Sequence, residues 1–237
     1  MQTVIVAGGY GTRMREHIGD LPKSLIPIDS SPFISLQLEW LKYSSQIQLC
    51  LGYKSHEIIE TLNQLDVSKD LSWSIEDESL GVLGSVYHSR HDLNENFAVL
   101  LGDVIPRFDY AEMIRNASKH LSKGNSVMFI APAQNIPGQK GNVDIDNKMI
   151  TTYCKGESYI GPYVDIGFWV LQRDHVVKFA KNAKEEEFFK SIINENSLAY
   201  ELVSQGSWEV GSIEGLINLV NEKNKIYIDL ESEVHIR

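Results

Sequence analysis

The run Val4-Ile5-Val6-Ala7-Gly8-Gly9-Tyr10-Gly11-Thr12-Arg13-Met14, with Leu21-Pro22-Lys23 soon after it, constrains this chain more than any other stretch. Its opening residues are β-branched and apolar in a short block, as in a parallel strand buried on both faces. Three glycines then crowd into the turn. Such spacing suits a loop whose backbone N–H groups approach phosphate oxygens, since a Cβ would hold those oxygens off. Arg13 adds a planar, permanently charged fork for the same oxygens. Lys23, set off by Pro22, brings a second cation from a separate stretch of loop.

Other phosphate loops fit less well. A Walker loop needs Gly-x-x-x-x-Gly-Lys-Ser/Thr, and the chain contains no such string. The dinucleotide fingerprint is met only by Gly9 and Gly11, with Met14 where its third glycine belongs. A nicotinamide-dependent dehydrogenase is therefore disfavoured. The bland alternative is an ordinary glycine-rich strand-to-helix turn carrying a solvated arginine.

Composition narrows the classes further. At 237 residues the chain can bury a substantial core as one α/β domain, and no linker, repeat or low-complexity tract divides it. A formal net charge of −10 argues against nonspecific binding to nucleic acid or anionic membranes, so an anionic substrate needs a locally basic site. No segment has the length of a membrane-spanning helix, and the N-terminus passes straight into a strand without an apolar leader. A cytoplasmic protein is expected. Cys50 and Cys154 are too few for a disulfide framework or a zinc site and are expected to be reduced.

Strand-like and helix-like runs alternate through the first half, favouring crossover units and a mostly parallel, Rossmann-like sheet flanked by helices. Helical spacing covers 33–44 and 55–65, and strand patterns cover Ile47–Leu51, Leu71–Ile75 and Phe97–Leu101. Asp109 with Glu112 has the form of a capping box opening a helix to about residue 122. From about 126 onward, short strands at Ser126–Ala131, Asn142–Ile145, Met149–Tyr153 and Tyr163–Leu171 predict mixed or antiparallel pairing. Helical signal returns over 174–194, a strand follows near 198–203, and Trp208–Val210 leads to a helix that Ser212 can cap. The segment Ile226-Tyr227-Ile228 reads as an edge strand or as a tail at a subunit contact, and a homo-oligomer is left open.

Asp103 ends the most buried-looking strand, and open α/β sheets bind ligands beyond the carboxyl ends of their parallel strands. A carboxylate there suits Mg²⁺, which prefers oxygen ligands and joins one or two carboxylates to substrate phosphates. A turn or capping aspartate is the alternative, though Asp109 is better placed to cap the following helix.

The full string Ala-Gly-Gly-x-Gly-Thr-Arg-Met followed by Pro-Lys resembles the signature of the sugar-phosphate nucleotidyltransferases, and the likeness extends over roughly residues 2–221. That resemblance implies transfer of a nucleoside monophosphate from a nucleoside triphosphate to a sugar 1-phosphate, with Mg²⁺ as cofactor. It implies a nucleotide-binding half of about 1–125, a sugar-binding half of about 126–222 and a C-terminal tail of 223–237. Ala7, Gly8, Gly9, Gly11, Thr12, Arg13, Glu76 and Gly81 fall to the nucleotide, the last within Leu80-Gly81-Val82-Leu83-Gly84, where Val82 and Leu83 depart from the common pattern. Gly141, Lys155, Asp165 and Gly167 fall to the sugar phosphate, with Cys154 where a glutamate commonly precedes the lysine. Glu209 stands where a second metal-binding aspartate is usual, and joins Asp103 as an expected metal ligand. Arg13, Lys23 and Asp103 are the expected catalytic residues. Pro32-Phe33, Gln37-Leu38-Glu39-Trp40-Leu41, Gly52-Tyr53-Lys54 and Tyr163-Val164-Asp165-Ile166-Gly167 are most similar to the D-glycero-α-D-manno-heptose 1-phosphate guanylyltransferase group, which implies GTP as donor. Uridylyl, cytidylyl or thymidylyl transfer to a hexose 1-phosphate, or a nucleotide-binding regulatory subunit without turnover, are the alternatives.

Overall fold

Val4 and Ile5 sit side by side in the first strand, yet each is fully buried in a different hydrophobic cluster, because successive strand residues face opposite sides of a sheet. The same alternation recurs at Ala98 and Val99, at Met128 and Phe129, and at Phe168 and Trp169. A sheet with two apolar faces must be covered twice. Helices Phe33–Trp40, Ser55–Gln64 and Tyr110–Leu121 pack on one face, and Gly81–His88, Arg173–Phe179 and Glu185–Asn194 on the other. This three-layer arrangement is seen in the computed structural model of the chain, which describes residues 1–65, 70–136, 138–156, 158–181 and 183–222.

Among the described residues the sheet has nine strands in two styles. Gln2–Val6 lies between Gln46–Leu51 and Asn96–Leu101, with Leu71–Ile75 outermost, and all these pairings are parallel. The long strand Tyr163–Gln172 then runs antiparallel to Asn96–Leu101 and to Ser126–Pro132. Leu198–Leu202 is parallel to Ser126–Pro132, and Met149–Tyr153 and Val143–Asp146 close the far edge. The parallel half and a mixed half thus meet in one continuous sheet, as the change of pattern near residue 126 predicts.

Local signals explain most boundaries. The Asp109 side chain accepts the Glu112 N–H at 2.9 Å and opens the Tyr110–Leu121 helix. The helical signal over 174–194 is two helices, Arg173–Phe179 and Glu185–Asn194. The helix Gly81–His88 was not expected, because a glycine pair weakens helical patterning; Gly81, at φ +71°, starts it. Ser212 caps the helix over 213–222 through the Gly215 N–H. The Ile226–Ile228 segment lies outside the described residues.

A third, small cluster positions the site. Met14, Ile26, Ile28 and Phe33 from the N-terminal loops pack with Ile105, Val210 and Leu219. It ties the glycine loop and the Lys23 turn to the segment after Asp103.

Candidate active site

The carboxyl ends of the four parallel strands form one rim, since parallel pairing aligns them. Ala7 to Gly11 leave the first strand, Gly52 the second, Glu76 the third and Gly102-Asp103 the fourth. The fit between these ends is close. Gly102 donates to the Val6 carbonyl at 2.9 Å, Ala7 donates to Cys50 at 2.9 Å, and Tyr53 donates to Gly8 at 3.2 Å. A Cβ at Gly102 would stand 2.4 Å from that Val6 oxygen, and one at Gly8 would stand 2.6 Å from Glu76 Oε1. Glycine is required at Gly102 by backbone proximity rather than by backbone angle, whereas at Gly8 the near neighbour is the end of the Glu76 side chain.

Between these ends lies a cavity of about 290 Å³. Of the residues expected in a site, Ala7, Gly8, Gly9, Gly11, Arg13, Lys23, Glu76, Gly81, Asp103 and Lys155 all line it. Lys23 Nζ donates to Asp103 Oδ2 at 2.8 Å, with both side chains mostly covered. The Lys23 turn also packs its stem against Gly11, whose φ of +61° carries the loop over it. Glu76 is 8% exposed, and its Oε2 accepts the Ser85 hydroxyl at 2.6 Å.

Gln37, buried on the Phe33–Trp40 helix, fixes the turn that presents Asp103. Its amide nitrogen donates to the Leu101 carbonyl at 3.0 Å and to the Val104 carbonyl at 2.8 Å, one on each side of Gly102-Asp103. After that turn, Val104–Pro106 pairs antiparallel with Ser207–Glu209, and Val210 donates to the Asp103 carbonyl at 2.9 Å. Gly211 lies so near that a Cβ there would be 2.9 Å from Asp103 Oδ2.

The structure does not bring the Glu209 carboxylate into the same cavity. It accepts from the Ser212 hydroxyl at 2.9 Å and from Gln139 at 3.3 Å, and it lines a neighbouring groove of about 790 Å³. Arg13 borders both spaces. Thr12 is exposed and opens a short 3₁₀ turn outside the cavity lining.

The sugar-phosphate set is divided as well. Lys155 reaches the cavity with Asp103, whereas Asp165 borders the neighbouring groove. Asp165 Oδ1 accepts the Gly167 N–H and the Trp169 indole N–H, each at 2.9 Å. Burial, reinforced by the charge of Glu185, pushes the Asp165 carboxyl up to about 6. Gly167 and Gly141 line neither space and serve the backbone. Gly167, at φ +76°, forms an irregularity in the long strand against Val104 and Leu101, and Gly141 bridges to Gly161, whose oxygen would be 1.9 Å from an added Cβ.

One participant escaped the sequence reading. Glu185, the first residue of its helix, projects into the cavity, where Lys155 Nζ pairs with its Oε1 and the Tyr153 hydroxyl donates to the same oxygen. A local signal existed in Glu185-Glu186-Glu187, but acidic first turns ordinarily serve the helix dipole alone.

Residues 2–225 match the family described as Nucleotidyl transferase. The chain belongs to that family. Among curated relatives, it is 27% identical over 221 residues to mannose-1-phosphate guanyltransferase 2 of Candida glabrata, covering 88% of this chain and 60% of that protein. The chain therefore spans about 60% of the length of such fungal relatives. It is 26% identical over 199 residues to the D-glycero-alpha-D-manno-heptose 1-phosphate guanylyltransferase of Campylobacter jejuni, covering 83% of this chain and 86% of that one. Two solved structures share the fold. HddC from Yersinia pseudotuberculosis complexed with GMP-PN superposes with a TM-score of 0.78 at 21% identity, covering 93% of this chain and 98% of that one. A putative glucose-1-phosphate thymidylyltransferase from Bacillus anthracis superposes at 0.81 with 17% identity, covering 93% and 94%. Among the described residues no helix is long and apolar enough to cross a membrane.

Proposed function

We propose that the chain transfers a nucleoside monophosphate from a nucleoside triphosphate to a sugar 1-phosphate in the cytoplasm, releasing pyrophosphate, with GTP as the donor. One observation carries this reading: Lys23 and Asp103 meet at 2.8 Å in a cavity that the glycine loop and Lys155 also line. The two substrates are polyanions whose repulsion opposes contact. Cations from separate segments lining one cavity lower that barrier and hold both phosphates in place.

In this reading the amides of Gly8 to Gly11, with Arg13 and Lys23, receive the triphosphate, and Lys155 receives the sugar phosphate. A sugar-phosphate oxygen, already ionised near neutral pH, attacks the α-phosphorus in line with the departing pyrophosphate. No general base is needed. Asp103, an oxygen donor beside the phosphate loop, fits Mg²⁺, which joins few carboxylates to substrate phosphates and water. When bound, the ion supplies Lewis-acid neutralisation of phosphate charge.

Glu76 favours guanine. Its carboxylate is held against Gly8 by Ser85 at the side of the cavity, and offers acceptors only. Guanine presents two adjacent donors, N1–H and the exocyclic amine, to such a group. Uracil and thymine present one N–H between two acceptors. The names of the C. jejuni and C. glabrata relatives support guanylyl transfer to a manno-configured sugar 1-phosphate, and we favour the heptose.

The test is a matrix of GTP, ATP, UTP, CTP and dTTP against α-D-mannose 1-phosphate and D-glycero-α-D-manno-heptose 1-phosphate, with Mg²⁺, read by mass spectrometry. GDP-sugar and pyrophosphate in equal amounts are expected. Absence of product in every well would refute the transferase reading.

A further inference from the structure

We propose that Glu185 is a sugar-reading residue: its carboxylate accepts a ring hydroxyl of the sugar 1-phosphate while the Lys155 beside it holds the phosphate. The proposal rests on the transferase reading above and adds a specificity determinant from a separate helix.

The start of the Glu185–Asn194 helix grips Lys155 at both ends. Glu186 Oε2 accepts the Lys155 backbone N–H at 2.9 Å, and Glu185 Oε1 pairs with its Nζ. Both contacts place the lysine, but they differ in what else they meet. Glu186 is tied outward to Lys190, one turn along the helix. The Glu185 side chain is 9% exposed, and the residue lines the cavity shared with Lys23, Asp103 and Gly81 as well as a groove beside Ala183 and Lys184. Its remaining neighbours are the Tyr153 hydroxyl and, across that hydroxyl, Asp165.

A phenol has one proton to donate, and two carboxylates compete for it. Tyr153 therefore leaves acceptor capacity on Glu185, which lines a cavity that an uncharged donor can enter. A phosphate cannot take this role, because it offers only acceptors and repels the carboxylate. A sugar hydroxyl can, since it donates to Glu185 while the sugar's own phosphate draws on Lys155. Adjacency of the two side chains restricts the partner to a hydroxyl close to the phosphate-bearing carbon, at C2 or C3.

The experiment compares wild type and Glu185→Gln with GTP, Mg²⁺ and α-D-mannose 1-phosphate or D-glycero-α-D-manno-heptose 1-phosphate, whichever wild type uses better, together with its 2-deoxy and 3-deoxy analogues. Replacing a charged acceptor by an amide should raise KM for the parent sugar phosphate by about 10- to 100-fold, with KM for GTP and the melting temperature unchanged. With one of the deoxy analogues, wild type and variant should become equal within about twofold, because the hydroxyl that distinguishes them is gone. If the loss is the same for the parent and both deoxy sugars, or KM for GTP rises in parallel, Glu185 only positions Lys155 and the proposal is overturned. No product from wild type with GTP and either sugar overturns the guanylyl-transfer reading on which the proposal rests, and the proposal with it.

Discussion

Replacing Gly102 by alanine tests how the fold sets the distance between the phosphate loop and Asp103. The new Cβ would lie 2.4 Å from the Val6 oxygen and 2.8 Å from the Ala7 Cα, both backbone atoms that cannot rotate away. Ordinary contact begins near 3.4 Å, so the two strand ends must separate by about 1 Å. Overpacking of this kind costs about 1–3 kcal/mol, or roughly 2–4 °C in melting temperature per kcal/mol for a chain of this size. The effect on turnover should be larger. A shift of about 1 Å between reacting groups lowers rate on the order of 100-fold, and the displaced segment carries Asp103 away from Lys23 and the glycine loop. The assay is kcat for GDP-sugar formation alongside a thermal melt, with Gly9→Ala as the stability control, since a Cβ at Gly9 meets nothing within 4 Å. A Gly102→Ala protein that melts and turns over like wild type would show that the loop and Asp103 need not stay in register.

Three further outcomes follow from the same geometry. Lys23→Ala should fold, because its ion pair is partly exposed, yet lose about 10²- to 10³-fold in kcat; near-normal turnover would remove Lys23 from the mechanism. Gln37→Leu leaves the Leu101 and Val104 carbonyls without their amide donor, so it should cost about 1–2 kcal/mol in a urea titration and lower kcat with it; a change in stability alone would deny Gln37 any part in placing Asp103. Asp165 holds its proton up to about pH 6 when folded, against a carboxyl that releases it near 3.8 when unfolded. Native protein thus binds more protons between those values, and stability falls as pH rises through that window. Asp165→Asn, which keeps an acceptor for Gly167 and Trp169, should raise the melting temperature at pH 8 and leave it nearly unchanged at pH 4. An equal effect at both pH values would contradict a buried-charge origin.

The parts of the site legible in sequence are those written in consecutive residues. Ala7 to Met14 carry their own geometry, since glycines and a following turn define a phosphate loop locally, and Phe97–Leu101 followed by Gly102-Asp103 marks a buried strand ending at a carboxylate. What was not legible depends on pairing across long separations. Nothing near Glu209 says that it pairs with Val104 and turns its carboxylate to Ser212 and Gln139. Glu185 reads as a helix-start acid until the fold sets it against Lys155. Gln37 reads as one position on an amphipathic face, and only the packed helix shows its amide spanning the turn before Asp103. The Gly81–His88 helix was hidden for a different reason: Gly81 supplies a positive φ at its start and Gly84 a close approach to Leu80, and the pair obscures the helical period.

In the proposed reaction two polyanions meet in the cavity lined by Lys23, Asp103 and Lys155. A crystal structure with a non-hydrolysable GTP analogue, Mg²⁺ and the sugar 1-phosphate tests this most directly. A sugar-phosphate oxygen about 3–3.5 Å from the α-phosphorus and in line with the leaving oxygen is the predicted result, with Lys23 on the triphosphate and Lys155 on the sugar phosphate. Phosphates bound in separate spaces, with Lys23 still paired to Asp103 and Lys155 to Glu185, would contradict it.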